Sequence, residues 1–272
     1  MINKCKIICE VGASHQGNFN RATNLIDAAK FAGADFVKFQ IWLDLDKFVS
    51  KTSKYYALFN KWKIPESQWI KLYNYSHNQG IQFVASVFDY SAVDLLCSLN
   101  GRSHKPFIKI ASGDITYLSL IRYAALKRPV VMFSTGMATW QEIMAAAKVI
   151  DGKKSEPIPL LCTTNYPCKE KDVQLWRVNP IKRNFKVWGF SDHTKGTCAS
   201  LAAVSLGAHY IEKHMDINNS PDACSVKEFK VMVKQIREVE NVIGDSEEFG
   251  PLECEKEIIK IARRNPTTWL RE

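Results

Sequence analysis

Two histidines of this chain lie in segments whose polar residues follow short apolar runs. His193 lies in GFSDHTKG and His214 lies in GAHYIEKH. Two imidazoles at neighbouring strand ends, with oxygen ligands from Glu10, substrate or water, suit a divalent cation that polarises a carbonyl oxygen. Local hydrogen bonding by each histidine is the alternative. We favour metal binding because the two segments end adjacent strands of the sheet predicted below.

Two lysines in apolar strands indicate a second kind of chemistry. Lys38 and Lys109 stand near the ends of the predicted second and fourth strands. With the hydroxyls and backbone N–H groups at Ser112, Ser134 and Ser191, they would form a cradle for a phosphate and a carboxylate. An anionic substrate is therefore predicted. Either lysine could instead form a Schiff base, as in barrel aldolases, because a buried lysine with a lowered pKa is nucleophilic.

Polar residues stand at the end of nearly every predicted strand. They are Glu10, Lys38, Gln40, Ser86, Lys109, Ser112, Asp114, Ser134, Thr135, Thr164, Tyr166, Ser191, Asp192, His193, Glu212 and His214. Taken singly, such a charged residue is usually half of a structural ion pair, and such a serine is usually a turn or a helix cap. Their convergence on one end of one sheet is better explained by an active site.

Short β-branched or aromatic runs alternate with helical patterns along the chain, eight of each. The predicted strands are Lys6–Val11, Asp35–Gln40, Ile81–Ser86, Phe107–Ile110, Val130–Ser134, Ile158–Cys162, Lys186–Gly189 and His209–Lys213. Several are apolar almost throughout, as in a parallel sheet covered on both faces. The sequence therefore predicts an α/β fold, a single-domain (β/α)8 TIM barrel. The alternative is an open doubly wound sheet, but no G-x-G-x-x-G or G-x-x-x-x-G-K-[ST] motif follows the first strand.

Two regions fall outside this repeat. Residues 41–64 are rich in Lys, Asp and aromatic residues and are predicted to form a long loop over the barrel mouth. We assign residues 1–245 to the barrel and residues 246–272 to a C-terminal linker and short helix.

The composition argues against a membrane protein, a secreted protein and a nucleic-acid-binding protein. No stretch approaches the roughly 20 apolar residues that span a bilayer, and the first residues carry too short an apolar run for a secretory signal. A cytoplasmic protein without membrane association is expected. The formal charge of +9 is spread along the chain without a basic block, which argues against nucleic acid and favours anionic substrates. The eight cysteines include no C-x-x-C pair and are interpreted as reduced thiols.

Seven segments together resemble the sialic acid synthase family, which includes legionaminic and pseudaminic acid synthases and related spore-coat polysaccharide enzymes. The segments are EVGASHQG, GADFVKFQ, IKIASGDI, FSTGMAT, CTTNYP, GFSDHTKG and GAHYIEKH. The resemblance implies a metal-dependent condensation of phosphoenolpyruvate with the open-chain aldehyde of N-acetylmannosamine or a similar amino sugar. The products would be a nonulosonic acid and phosphate.

The resemblance also implies roles for individual residues. It assigns the phosphoenolpyruvate contacts to Lys38, Ser86, Lys109, Ser112, Ser134 and Ser191. It assigns Mn²⁺ or Mg²⁺ to His193 and His214. It assigns acceptor-sugar contacts to Glu10, Gln40, Asp114, Tyr166 and Asp222. The catalytic candidates are Glu10 and Asp114, and Glu10 is the first choice for orienting the aldehyde or moving a proton.

The chain departs from the family pattern on the acceptor side. Relatives carry N-H-N-G in place of residues 14–17, a longer acid in place of Asp114, and P-D-H in place of residues 221–223. Relatives also form dimers and end in a small antifreeze-like domain, so the expectation is a barrel-only homodimer or a separate antifreeze-like partner. The alternative functions are a Schiff-base barrel aldolase and a catalytically silent barrel that binds donor, metal or a partner chain.

Overall fold

A computed structural model describes residues 4–99, 107–127, 130–153, 155–218, 220–246 and 248–271. Eight parallel strands pair in chain order and close into a barrel, which confirms the predicted fold. The strands are β1 Lys6–Gly12, β2 Phe36–Ile41, β3 Gln82–Val87, β4 Ile108–Ile110, β5 Val130–Ser134, β6 Glu156–Cys162, β7 Gly189–Asp192 and β8 Tyr210–His214.

Helices follow the strands along the chain. They are α1 Phe19–Phe31, α2 Leu45–Phe48, α3 Tyr56–Trp62, α4 Glu66–Asn78, α5 Tyr90–Leu99, α6 Leu118–Lys127, α7 Trp140–Asp151, α8 Glu170–Val173, α9 Val178–Asn184, α10 Cys198–Ser205, α11 Val226–Ile243 and α12 Lys256–Ala262. Three 3₁₀ turns occur at Ser112–Asp114, Leu175–Arg177 and Glu253–Glu255. Helices α1, α4 and α7 each bury one face, because their apolar residues recur every three or four positions.

The alternation of side chains along the strands determines which of them face the barrel interior, where the site lies. Every second side chain of a strand points to the same face of the sheet. On β1 and β2 the apolar residues Ile8 and Phe36 belong to the buried cluster inside the barrel. Glu10 and Lys38 stand two residues further along the same strands and lie opposite each other in the parallel register. The barrel interior is therefore apolar at its amino end and charged at its carboxyl end.

Two predictions of local structure were wrong. The seventh strand is Gly189–Asp192 rather than Lys186–Gly189. The apolar run that precedes it imitates a strand, whereas the paired residues include Ser191 and Asp192, whose polar side chains are buried. Residues 41–64 are not a plain loop, because they contain helices α2 and α3.

Aromatic residues hold this segment in place. Trp42, Leu45 and Phe88 form a small buried cluster, onto which Phe48 and Phe59 pack with their rings. The same cluster contacts Ala13 and Ala111, which follow the carboxyl ends of β1 and β4. The segment therefore packs at the mouth of the barrel, as predicted.

The chain divides into two compact units, and the barrel unit ends at Ile243. The second unit begins at Gly244 and contains the 3₁₀ turn Glu253–Glu255 and helix α12. Within the described ranges, no helix has both the length and the apolar character needed to cross a membrane.

His15, in the loop after β1, gives the barrel a pH-dependent stability. Its ring is fully buried and packs edge-on against Trp69, and its Nδ1 atom accepts a hydrogen bond of 3.0 Å from the backbone N–H of Gly17. Burial, together with repulsion from Arg21, lowers the pKa of His15 to about 4. Between pH 6.5 and pH 4 the unfolded chain therefore takes up a proton that the folded chain does not.

The stability of the protein should consequently fall as the pH falls through this window. Lowering the pH from 7.5 to 5 should cost roughly 2 kcal/mol at His15 alone. The His15→Asn variant keeps an acceptor for Gly17 and should lose that part of the pH dependence, as measured by urea unfolding at both pH values. His77→Asn, at an exposed position, should retain it. Parallel pH profiles for wild type and His15→Asn would contradict the prediction.

Candidate active site

The strand ends form one cavity at the carboxyl end of the barrel, called the main pocket below. Eleven of the predicted site residues line it. They are Glu10, Lys38, Gln40, Ser86, Lys109, Ser112, Ser134, Tyr166, Ser191, His193 and His214. The lysines and histidines on which the predicted chemistry depends therefore meet in one place.

Two predicted site residues do not line the main pocket. Asp114 ends a 3₁₀ turn that begins at Ser112, and of these two residues Ser112 lines the pocket. Burial raises the pKa of Asp114 to about 6. Asp222 follows β8 and lines an adjoining cavity; among the described residues, this cavity shares His193 and His214 with the main pocket.

Two lysines and two glutamates form a buried charge cluster in the main pocket. The Nζ atom of Lys38 lies 2.5 Å from Oε2 of Glu10 and 3.3 Å from Oε2 of Glu212. The Nζ atom of Lys109 lies 3.4 Å from Oε1 of Glu212. None of the four residues is more than 3% exposed. Water therefore screens these charges weakly, and each depends on its neighbours.

Serine hydroxyls complete the contacts of the cluster. Lys38 donates a hydrogen bond of 2.9 Å to Ser86, and Lys109 donates one of 2.7 Å to Ser134. Ser191 donates a hydrogen bond of 2.7 Å to Oε1 of Glu212. An anion that enters the pocket would meet two ammonium groups already surrounded by hydroxyls. Such an arrangement supplies the charge-assisted hydrogen bonds that phosphate and carboxylate groups require.

Burial and mutual attraction shift the pKa values of the cluster in different directions. Burial raises the pKa of Glu10, and the attraction of Lys38 opposes only part of that rise. Burial would also raise the pKa of Glu212, but Lys109 and Lys38 hold it well below its usual range. Burial lowers the pKa of Lys109, whereas at Lys38 the two carboxylates outweigh burial and raise the pKa. Of the two acids, Glu10 is therefore the one that takes up a proton more readily.

The two histidines stand side by side at the pocket wall. Their ring centroids lie 5.3 Å apart. The Nδ1 atom of His193 lies 2.9 Å from the carbonyl oxygen of Thr163, and because a carbonyl only accepts, Nδ1 carries a proton. Burial alone would lower the pKa of His193, but its contacts with Cys162 and with the Thr163 carbonyl raise it. Burial and repulsion from His193 lower the pKa of His214 to about 3. Its imidazole is therefore uncharged at neutral pH.

These imidazoles fit a divalent cation with an incomplete protein shell. In the described part of the chain, no three His, Cys, Asp or Glu side chains are grouped closely enough to hold a metal ion by themselves. Glu10 lines the same pocket, and its buried Oε1 atom has no hydrogen-bond partner among the described residues. Two nitrogen ligands completed by substrate or water oxygens are typical of an open, catalytic metal site.

A second buried ion pair lies behind the histidines. The Nζ atom of Lys213 lies 3.0 Å from Oδ2 of Asp192 and donates a hydrogen bond to the carbonyl oxygen of Thr194. Asp192 also accepts hydrogen bonds from Ser200 and from the N–H and hydroxyl of Thr194. Asp192 and Lys213 immediately precede the two histidines, so this network joins the ends of β7 and β8 and fixes the spacing of the imidazoles.

Breaking this pair should be costly. The Asp192→Asn variant would leave the Lys213 ammonium buried without a carboxylate, which should reduce the free energy of unfolding by roughly 3–5 kcal/mol. The exposed pair Lys234–Glu238 offers a matched control, because Glu238→Gln should cost less than about 1 kcal/mol. Urea unfolding compares the two. Equal losses of unfolding free energy in both variants would show that the buried pair stabilises the protein no more than the exposed pair does.

A closed parallel barrel with charged and hydroxyl side chains gathered at the carboxyl ends of its strands has the architecture of a TIM-barrel enzyme. Comparison with known families shows which kind of barrel it is, because the profile of the NeuB family matches residues 25–248. The chain belongs to the NeuB family, and the resemblance to the sialic acid synthases is confirmed.

Individual relatives support this assignment along nearly the whole chain. An uncharacterised protein of Methanocaldococcus jannaschii is 38% identical over 95% of this chain and 77% of its own length. The N,N'-diacetyllegionaminic acid synthase of Legionella pneumophila is 33% identical over 97% of this chain and 80% of its own. The crystal structure of N-acetylneuraminic acid synthetase from Leptospira borgpetersenii superposes with a TM-score of 0.86 at 29% identity, covering 95% of this chain and 91% of that one.

Among the described residues, five more line the main pocket, and the predicted roles covered none of them. They are Ala111, Gly113, Cys162, Thr164 and Glu212. Side-chain alternation carried a signal for Glu212, because it stands two residues before His214 on β8. The Sγ atom of Cys162 lies 3.7 Å from Nδ1 of His193, so this thiol belongs to the pocket wall.

Proposed function

We propose that this protein condenses phosphoenolpyruvate with the open-chain aldehyde of an N-acetylated, N-acetylmannosamine-like amino sugar. The products are a nonulosonic acid and phosphate. Membership of the NeuB family, whose named relatives are sugar-acid synthases, supports this reaction class. The single observation that carries the proposal is the meeting of two buried lysines and two imidazoles in the main pocket.

The donor half of the pocket is formed by ammonium and hydroxyl groups. Lys38 and Lys109 supply positive charge for the phosphate and carboxylate of phosphoenolpyruvate. Four serines supply hydroxyl contacts, and they are Ser86, Ser112, Ser134 and Ser191. Because the pocket is shielded from water, each of these contacts is stronger than it would be at the surface.

The acceptor half involves the remaining predicted residues. Glu10, Gln40 and Tyr166 line the main pocket, where Glu10 would orient the aldehyde and hold the proton that its oxygen takes up. Asp222, in the adjoining cavity, is placed for the far end of an acceptor that extends past the histidines. Asp114 would act on the acceptor through its neighbours rather than from the pocket wall.

His193 and His214 would hold Mn²⁺ or Mg²⁺, which when bound supplies Lewis-acid polarisation of the aldehyde oxygen. The methylene carbon of the donor then forms a bond to the aldehyde carbon, and the aldehyde oxygen gains a proton. Water adds to the central carbon of the donor with loss of a proton. The hydroxyl group formed there then loses its proton and becomes the keto group of the product, as the bond from that carbon to the phosphate oxygen breaks. Phosphate leaves with the electron pair of that bond and takes up a proton.

The test is an acceptor panel. The protein is incubated with phosphoenolpyruvate, Mn²⁺ and a series of N-acetylated amino sugars, and phosphate release is followed. Release that depends on the acceptor is expected for at least one sugar, with a product that contains the carbon atoms of both substrates. Absence of acceptor-dependent release across the panel would reject the proposed reaction.

A further inference from the structure

Glu212 is the carboxylate that touches both lysines of the charge cluster. Its Oε1 atom lies 3.4 Å from Nζ of Lys109 and accepts the hydrogen bond from Ser191. Its Oε2 atom lies 3.3 Å from Nζ of Lys38. Among the described residues, Glu10 forms an ion pair with Lys38 alone. Glu212 therefore lies between the two lysines, whereas Glu10 lies beside Lys38.

Lys109 depends on Glu212 more than on any other acid. In the part of the chain that the structure describes, Glu212 is the carboxylate within ion-pair distance of Lys109. Burial works against a charge on this lysine and lowers its pKa, and the Glu212 carboxylate opposes that effect. Two ammonium groups in a water-poor pocket also repel each other. A carboxylate between them draws both towards one point and restricts their side chains.

The contacts of Glu212 argue against a direct role on the substrate. Both of its oxygens face lysines, and one also accepts from Ser191. A carboxylate turned towards the phosphate or carboxylate of the donor would repel it. Glu212 is therefore placed to act through its neighbours.

We propose that Glu212 is a positioning residue that fixes Lys38, Lys109 and the Ser191 hydroxyl at the spacing that binds the donor. This inference rests on the proposed function, because it takes phosphoenolpyruvate as the donor. Glu212→Gln keeps the shape of the side chain and removes its charge. Glu212→Asp keeps the charge on a side chain one methylene shorter, and Glu238→Gln removes an equal charge from the surface of α11.

The experiment measures phosphoenolpyruvate binding by calorimetry, without acceptor, on the full chain, followed by steady-state kinetics of phosphate release. Glu212→Gln should raise the donor Kd and the donor KM by about tenfold or more, while the acceptor KM changes less than about twofold. Glu212→Asp should recover part of the donor affinity. Glu238→Gln should bind the donor like the wild type.

The outcomes separate this role from others. A merely structural residue would lower the melting temperature and leave the donor Kd of the folded protein unchanged. Donor binding by Glu212→Gln that equals or exceeds that of the wild type overturns the proposal, and if this variant does not fold, an unchanged Kd in Glu212→Asp does the same. Failure of the wild type to bind phosphoenolpyruvate overturns the donor assignment as well. If the wild type turns over but both Glu212 variants bind the donor with wild-type affinity, the role of Glu212 is overturned and the proposed function is not.

Discussion

Lys109→Met is expected to lower kcat/KM for phosphoenolpyruvate by about a thousandfold. The substitution removes a buried ammonium group that lies 2.7 Å from Ser134 and 3.4 Å from Glu212. Methionine has a similar length, so the pocket keeps its volume. The donor would lose a charge-assisted contact inside a shielded site, and Glu212 would lose one of its two partners. Truncating one partner of a buried, hydrogen-bonded charge pair typically costs 2–5 kcal/mol or more, which corresponds to this loss.

The measurement is phosphate release at varied donor concentration, with Mn²⁺ and the best acceptor of the panel. Lys234→Met, on the exposed side of α11, changes the same residue type and should retain wild-type kinetics. Lys109→Arg keeps the charge but replaces a compact ammonium by a planar fork, so an intermediate activity is expected. A fall of less than about tenfold in Lys109→Met would contradict the assignment of this lysine to the donor.

The same variants test the Schiff-base alternative, which the lowered pKa of Lys109 favours. A Schiff base needs a neutral amine that attacks a carbonyl group. Borohydride treatment in the presence of pyruvate would then trap a covalent adduct on Lys109, and Lys109→Arg would have no activity at all. Absence of an adduct, together with residual activity in Lys109→Arg, would support the electrostatic role.

The sequence allowed the barrel to be predicted because its strands are short, apolar and regularly spaced. In seven strands, the predicted bounds differ from the observed ones by no more than two residues at either end. The seventh strand was misplaced because Ser191 and Asp192 look like loop residues when burial is unknown. Their polar groups are satisfied inside the protein, since Ser191 bonds to Glu212 and Asp192 pairs with Lys213. Hydrophobic pattern alone does not detect a strand whose polar residues find partners in distant segments.

The site was predictable to the extent that strand-end residues must converge. Which of two neighbouring residues faces the pocket depends on local turns that the sequence does not fix. Ser112 and Asp114 illustrate this, because they belong to the same 3₁₀ turn and of the two Ser112 lines the main pocket. Glu212 was predicted as a strand-end residue but given no role, because its importance arises from contacts with β2 and β4, which are distant in sequence.

The two acids of the charge cluster should have separable effects on the reaction. Within the part of the chain that the structure describes, Oε1 of Glu10 has no hydrogen-bond partner, and burial raises the pKa of this carboxyl group. Glu212 has its pKa held low by two lysines. A carboxyl group with a raised pKa, such as that of Glu10, can exchange a proton with a substrate. A carboxyl group with a lowered pKa, such as that of Glu212, stays ionised and holds the two lysines in position.

Glu10→Gln is therefore expected to lower kcat by about a hundredfold or more, with the donor KM changed less than about threefold. Glutamine keeps the shape of the side chain but cannot exchange the proton, and Lys38 retains Glu212 as a partner at 3.3 Å. Steady-state phosphate release at saturating acceptor measures both parameters, and Glu212→Gln is the matched comparison because its main effect falls on the donor KM. If Glu10→Gln instead raised the donor KM and left kcat unchanged, Glu10 would be a charge partner of Lys38 rather than a residue that moves a proton.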